Sequence, residues 1–278
     1  MAKFLIVIDS IAVFAGGNAR PDAVLPFSVT IDGKTTEEKD CDTTLLLSAH
    51  HEGKTVRTQI TPKDSTLALE KLLEDGNDVL VLSVSSGISE SCNTANYIAQ
   101  GLRIKFPERK IVVVDTLACG AGEGLLFSLA NKWQQEGLDI EETAQKLEET
   151  TKLLHHLFIS DDLSALEQSG IIPQTSVVNI KLIFDIMSGG KVGVFAKTMG
   201  KKKAVGDIVK YVSTTLNKDL LSSVIITYGD EQDAHSIGES LQKLLPSTSI
   251  CYAKENKFVS AYLGEKAIGV CFFGEARK

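Results

Sequence analysis

Three short polar segments follow apolar runs at points where strands would end, and their side chains could bind an anion or transfer protons. They are Asp9-Ser10, the serine loop Ser85–Ser91 ("SSGISES") and Asp115-Thr116. The carboxylates could act in acid–base catalysis or bind Mg²⁺. Ligands of open α/β sheets gather beyond the carboxyl ends of strands, so a common site is one interpretation. Capping of turns and helices alone would produce the same pattern.

The serine loop leaves several chemistries open. Backbone N–H groups at a helix start, with Gly87 permitting close approach, favour an anion. However, the nucleotide-binding patterns GxxxxGK[ST] and GxGxxG are absent here. A nucleophilic serine would need a GxSxG frame and a partner histidine. The five histidines, none in a diagnostic context, are His50, His51, His155, His156 and His235. Ser89 could also serve only as a helix cap.

The composition excludes several function classes. The chain has 278 residues, a net charge of −7 and 43% hydrophobic residues, which argues against a nucleic-acid binder. The locally basic Lys197–Lys203 is typical of a solvated helix start. The five scattered cysteines form no CxxC pair or Cys/His cluster, so we expect neither a zinc site nor a disulfide framework.

The apolar runs are short. The N-terminal run at Phe4–Ile8 is shorter than the roughly 7–15 residues of a secretory core. No later run approaches the roughly 20 residues of a membrane helix. We therefore expect a cytoplasmic protein that is not integral to a membrane.

Strand-like and helix-like segments alternate, which predicts two α/β domains, residues 1–154 and 155–278. The first domain is expected to contain a largely parallel sheet. Its helix after Thr61-Pro62 has the start signals of a cap followed by proline, and it should end at Gly76. The second domain should contain a mixed sheet, because the segments at 179–187 and 191–197 are joined by the turn "SGG".

Taken in order, these segments resemble the DegV family of bacterial fatty-acid-binding proteins. "IVIDS" is similar to the family's opening strand and Thr-Asp-Ser, "RTQITPKD" to Thr-Ser-Gln-Pro, and "SSGISES" to Ser-Ser-x-Leu-Ser-Gly-Thr. Residues 24–31 ("VLPFSVTI") are predicted to form one strand, closed by the turn Asp32-Gly33, and "VLPFSVTIDGK" resembles the family's second strand and turn. "VVVDT" resembles the strand that ends in Asp-Ser. "ISDDLSALEQSGII" and "VVNIKLIFDIMSGGKVG" resemble the Asp-Asp-Leu segment and the hairpin that follows it. The resemblance covers nearly the whole chain.

The resemblance implies a carrier protein that is not an enzyme and has no cofactor besides its lipid. Such a protein holds one long-chain fatty acid in an apolar tunnel between its domains. It presents the carboxylate to a separate fatty-acid kinase, which makes an acyl phosphate for phospholipid synthesis. The head-group residues carry over as Thr58 and Ser89, and Ser86 and Gly87, which shape the loop, are also expected to contribute to ligand binding. "NIKLIFDIM" and "LFISDDL" could supply tunnel walls.

The chain departs from the family pattern at four positions. Tyr262 stands where the family has a C-terminal head-group histidine, and we expect it to bind the ligand there, since its hydroxyl can still donate a hydrogen bond. Glu90 replaces the glycine after Ser89. Ile171 and Met199 stand where the family has arginines. These departures bear on head-group geometry and on kinase docking. Two alternatives therefore stay open: an enzyme for phosphoryl transfer or hydrolysis that uses Asp9, Asp115 and the serine loop, and a divergent lipid or anion binder without a kinase partner.

Overall fold

Short strands and helices alternate along the chain in the computed structural model, which describes residues 4–17, 19–160, 163–168, 172, 180–229, 231–264 and 266–277. The strands are β1 (Leu5–Asp9), β2 (Ala23–Leu25), β3 (Phe27–Ile31), β4 (Lys34–Glu37), β5 (Val56–Ile60), β6 (Val79–Ser83), β7 (Ile111–Asp115), β8 (Leu154–Ile159), β9 (Ile180–Ile186), β10 (Val192–Met199), β11 (Ser223–Tyr228), β12 (Ser249–Lys254) and β13 (Ile268–Phe273). The helices are α1 (Thr43–His51), α2 (Pro62–Glu74), α3 (Ser91–Lys105), α4 (Ala121–Gln135), α5 (Ile140–Thr150), α6 (Ser164–Gln168), α7 (Lys201–Thr215), α8 (Glu231–Leu244) and α9 (Lys257–Leu263).

The first sheet is parallel throughout, in the order β2-β1-β6-β7. Its central strand β6 reads "VLVLS" and is buried at every position, as expected for a strand covered on both faces. Helix α2 begins after Thr61 with Pro62 at its first position, and Gly76 follows it at φ +83°. The start and stop signals in the sequence therefore predicted this helix correctly.

A small antiparallel sheet, β4-β3-β5, lies beside the first one. The sequence pattern had predicted one strand over residues 24–31, and that prediction was wrong. The chain divides at Pro26, which has no backbone N–H to donate to a ladder. β2 pairs with β1 in the parallel sheet, whereas β3 pairs with β4 and β5. This division brings β5, which carries Thr58, to the edge of the small sheet.

The third sheet has six strands in the order β10-β9-β8-β13-β11-β12, with one parallel pair, β11 and β12. β9 and β10 form the antiparallel hairpin that "SGG" predicted. The predicted α/β class, with a parallel first sheet and a mixed second sheet, is confirmed. β8 starts at Leu154 and belongs to the six-stranded sheet. The boundary between residues 154 and 155 stays a prediction.

Arg277 ties the two halves of the chain together near its C-terminal end. The guanidinium is largely buried and donates to the carbonyl oxygens of Leu117 (3.0 Å), Ile186 (2.7 Å) and Thr151 (2.6 Å). These carbonyls belong to three different segments on both sides of the predicted boundary. Within the described part of the chain, no helix combines the length and the apolar character needed to cross a bilayer.

Candidate functional site

The serine loop packs its backbone against the β9–β10 hairpin turn. The Ser85 hydroxyl donates to the Gly190 carbonyl at 2.7 Å. A Cβ at position 87 would lie 2.7 Å from the carbonyl carbon and oxygen of Gly190, which no side chain could tolerate. Gly87 is therefore required for the contact between the serine loop and the six-stranded sheet.

Ser86 lies on the exposed side of the same loop. Its hydroxyl donates to one oxygen of the Asp115 carboxylate at 2.5 Å, and its backbone N–H donates to the other at 3.1 Å. The polar groups of Ser86 are thus engaged with the end of β7, whereas the other hydroxyls predicted for the site gather on β5. A ligand-binding role for Ser86 remains a sequence-based prediction.

Ser89 joins the edge strand β5. Its hydroxyl donates to the Thr58 carbonyl oxygen at 2.9 Å and lies 2.9 Å from the Ser91 hydroxyl. The Ser91 hydroxyl in turn accepts the Ile60 N–H at 3.0 Å. These bonds fasten the start of α3 to β5, and they bring Thr58 and Ser89 side by side.

Tyr262 reaches the same place from helix α9. Its hydroxyl donates to the Val56 carbonyl on β5 at 3.3 Å. Burial raises the pKa of the Tyr262 phenol, and the nearby Thr58 side chain lowers it by a smaller amount. The phenol is therefore a neutral hydrogen-bond donor at physiological pH. We call Thr58, Ser89 and Tyr262 the hydroxyl cluster; the structure brings these three predicted residues together.

Helix α9 is only seven residues long, so its position depends on its contacts. The Asn256 side chain caps it by accepting the Phe258 N–H at 2.9 Å. The same side chain donates to the Ser10 carbonyl at 3.0 Å, which ties the helix to the end of β1. Lys257 donates to the Cys41 carbonyl at 2.9 Å, just before α1. These long-range bonds place Tyr262 against β5.

Glu90 is exposed at the start of α3. Its carboxylate accepts a hydrogen bond from the Asn93 side-chain amide at 2.9 Å. Its charge therefore lies in water on the outer side of the helix start, where solvent and salt screen it.

An apolar cluster adjoins the hydroxyl cluster and joins the two halves of the chain. Tyr262 packs against it, and it combines residues of the first two sheets with residues of the third. Phe158 and Phe184 stack with ring centroids 5.1 Å apart, and Phe27 and Phe258 lie 5.5 Å apart. We call these four phenylalanines and their buried neighbours the junction cluster. Both segments that the sequence suggested as tunnel walls contribute to it, and their role as walls remains a prediction.

The carboxyl ends of the parallel strands hold a buried acid pair instead of an open site. Asp9 and Glu123 are 1% and 0% exposed, and Asp9 accepts the Val84 N–H at 2.7 Å. Burial raises the pKa of Asp9 to about 7 and that of Glu123 well above its ordinary value. Asp9 thus interacts with Glu123, whereas Asp115 binds Ser86, so the two predicted carboxylates serve different partners. Among the described residues, no group of His, Cys, Asp and Glu has the arrangement of a metal site.

Met199 and Ile171, which stand where the family has arginines, differ in what the structure shows of them. Met199 ends β10 and is 71% exposed. In the basic stretch beside it, Lys201 pairs with Asp233 and Lys203 with Asp207 at 3.0 Å. Ile171 lies outside the described residues.

One residue of this region could not be found from its sequence context. His50, at the end of α1, is 2% exposed, and its ring lies against Tyr262 with centroids 4.8 Å apart. The helix that carries it has no clear amphipathic pattern, so neither the helix nor the burial of His50 was predicted.

Comparison with known proteins agrees with this architecture. A DegV domain-containing protein of Lactococcus lactis, YteA, is 34% identical over 197 residues, which is 67% of this chain and 68% of that protein. A crystal structure of a DegV family protein from Ruminococcus gnavus with vaccenic acid has a TM-score of 0.83 at 19% identity, covering 97% of this chain and 99% of that one. The Streptococcus pneumoniae fatty acid kinase (Fak) B3 protein, loaded with linoleic acid, has a TM-score of 0.81 at 16% identity, covering 99% and 100%.

The family model described as an uncharacterised protein of the DegV family matches residues 3–275, nearly the entire sequence. The order of motifs, the sheet topology and the relatives therefore lead to the same conclusion. The chain belongs to the DegV family.

Proposed function

We propose that this protein binds a long-chain fatty acid, with the carboxylate at the hydroxyl cluster and the acyl chain in the junction cluster. The observation that carries the proposal is the convergence of Thr58, Ser89 and Tyr262 beside a continuous apolar region. Solved relatives hold vaccenic and linoleic acid, which supports a ligand of this class.

The chemistry of the hydroxyl cluster suits a carboxylate that must later be released. Hydroxyl groups donate charge-assisted hydrogen bonds to a carboxylate without forming an ion pair. Ser89 currently donates to the Thr58 carbonyl, so it would rotate its O–H toward an incoming head group. The acyl chain would gain about 0.8 kcal/mol for each CH₂ that it buries, so most of the affinity would come from the tail.

We also propose that the bound acid is presented to a separate fatty-acid kinase. Support comes from the Streptococcus pneumoniae relative, whose name places it in a fatty acid kinase system. In this role the protein itself is a carrier and the kinase supplies the ATP chemistry. The burial of Asp9 favours the carrier over the alternative enzyme, which was expected to use Asp9, Asp115 and the serine loop, because the Asp9 carboxyl group is inaccessible to a substrate.

Mass spectrometry of organic extracts from the purified protein tests the first proposal. We expect a fatty acid at about one per chain, or loading to that level after incubation with oleate. The double variant Thr58→Ala, Ser89→Ala should weaken oleate binding at least about tenfold, because it removes two donors to a charged group. Thr30→Ala is the matched control, since its hydroxyl bonds Thr35 on the neighbouring strand.

Three results would count against these proposals. Absence of lipid in the extract and after incubation would reject the fatty-acid proposal. Binding without acyl-phosphate formation, when ATP and a fatty-acid kinase are added, would reject only the kinase step. Turnover of ATP or a phosphoester by the protein alone would favour the enzyme.

A further inference from the structure

His50 has a buried ring nitrogen near the hydroxyl cluster for which the described part of the chain offers no hydrogen-bond partner. It is 2% exposed, and its Nε2 has no hydrogen-bond partner among the described residues. Buried polar nitrogen atoms in native proteins are nearly always paired, because an unpaired one costs about 1–3 kcal/mol. The protein keeps His50 despite this free-energy cost, which suggests that the imidazole has a role in function.

The position of His50 supplies that explanation. Its ring lies 4.8 Å from the Tyr262 ring and is inclined to it at 61°. The Thr58 side chain interacts with the phenol of the same tyrosine. The imidazole therefore belongs to the same group of side chains as the predicted head-group donors, although α1 supplies it and the donors come from β5, α9 and the start of α3.

We propose that His50 binds the carboxylate head group of the fatty acid, so that Nε2 donates the hydrogen bond for which the described residues offer no acceptor. This inference rests on the proposed function and adds a fourth residue, from a fourth element, to the head-group site. The residue is one that neither the motifs nor the family resemblance indicates.

The charge state of His50 fits this role. Burial, with a smaller contribution from the charge of His51, lowers the pKa of the His50 imidazole. A neutral imidazole carries one N–H donor, so it can stabilise a carboxylate without a permanent positive charge. Together with the hydroxyl cluster, it would form a set of uncharged donors that holds the head group and still allows its release.

The test compares oleate binding by His50→Phe, His50→Gln and the control His51→Gln. His51 is the next residue in α1 and is exposed. His51→Gln therefore makes the same chemical change as His50→Gln, but outside the hydroxyl cluster. We expect His50→Phe to weaken oleate binding at least about tenfold, as for the loss of one charge-assisted bond. His50→Gln should lose less, because the amide retains a donor, and His51→Gln should stay within about twofold.

A spectroscopic measurement separates binding from packing. On the wild-type protein with ¹⁵N-labelled histidine, oleate should shift the Nε2 resonance of His50, assigned by its absence in His50→Gln. The carboxyl resonance of [1-¹³C]oleate should differ between the wild type and His50→Gln. This pair of measurements decides the question even if His50→Phe fails to fold.

Each outcome leads to a decision. Wild-type oleate affinity and an unchanged ¹³C shift in a folded His50 variant would overturn the role of His50. If the Thr58, Ser89 double variant still lost oleate affinity, the fatty-acid proposal would nevertheless stand. An Nε2 resonance that does not respond to oleate would also overturn it. Absence of oleate binding by the wild type would overturn both proposals together.

Discussion

The hydroxyl cluster and the Asp9–Glu123 pair are two polar regions of the molecule that are built in opposite ways: the cluster is partly buried and takes Tyr262 from the second half of the chain, whereas the acid pair is fully buried in the first half. The acid pair lies at the carboxyl ends of parallel strands, where α/β sheets usually bind ligands. There Asp9 accepts the Val84 N–H, and its remaining oxygen faces a second buried carboxyl group. The hydroxyl cluster lies instead at the edge of the small sheet, and it contains neutral donors and an unpaired histidine nitrogen.

The two regions differ in what would complete their hydrogen bonds. Two buried carboxyl groups in contact do not readily ionise together, so they bind a proton from water. Burial raises the pKa of both Asp9 and Glu123, which keeps that proton bound. An unpaired imidazole beside hydroxyl donors lacks an acceptor, which a carboxylate ligand would supply. The first region is thus completed by a proton, whereas the second, by our proposal, is completed by a ligand.

Replacement of Asp9 should have the largest effect of the variants that test this contrast. Asp9→Ala leaves the Val84 N–H without its acceptor and Glu123 without its partner, so we expect a loss of about 3 kcal/mol in the free energy of unfolding. Urea denaturation measures it. Asp9→Asn is the matched control, because its amide keeps an acceptor for Val84 and offers a donor to Glu123, and it should lose less.

The same variants test the separation of the two regions. Folded Asp9→Asn should bind oleate with wild-type affinity. Weakened binding by Asp9→Asn, with no effect of the Thr58, Ser89 double variant, would move the head group to the acid pair and contradict the contrast.

Glu123→Gln should alter how stability depends on pH. In the folded protein the raised pKa keeps Glu123 protonated, whereas in the unfolded chain the group ionises above its ordinary value of 4.5. The folded state then binds more protons, so this group makes the free energy of unfolding fall as pH rises. Glutamine is neutral at every pH and removes that fall. The stability of Glu123→Gln relative to the wild type should therefore increase from about pH 5 upward, by up to a few kcal/mol.

Denaturation curves of both proteins, collected from about pH 5 to pH 8, measure this difference. Asp9 contributes a fall of the same sign, because burial raises its pKa from 3.8 to about 7, and it is present in both proteins. Parallel stability curves for the two proteins would show that Glu123 is ionised in the folded state, and the acid pair would then not hold a proton.

The sequence predicted those parts of the fold whose signals are local. Strands such as β6 are continuous apolar runs, and α2 begins and ends at residues with strong backbone preferences. The strand prediction over residues 24–31 failed because Pro26 divides an apolar run between two sheets, and only the pairing reveals the division.

The candidate site depends on elements that have no such local signal. Helix α1 contains three consecutive leucines, β5 reads "VRTQI", and α9 has seven residues, so none shows a distinctive period. Thr58 and Ser89 were found through the family resemblance. His50 could not be predicted, because its burial arises from the packing of α1 against α9, which are about 200 residues apart in sequence.

Glu90→Gln should have the smallest effect and tests whether charge at the start of α3 reaches the hydroxyl cluster. Glu90 is exposed and bonded to Asn93, so its field at the head group is screened, and removing the charge should tighten oleate binding by less than about twofold. Titrations at about 0.02 M and 0.15 M salt measure this, with Glu108→Gln as the control, an exposed acid beyond the opposite end of α3. A gain of more than about fivefold at low salt that disappears at high salt would mean that Glu90 repels the carboxylate. The head-group site would then be tuned by a nearby charge, and the interpretation that solvent screens Glu90 from the hydroxyl cluster would have to be abandoned.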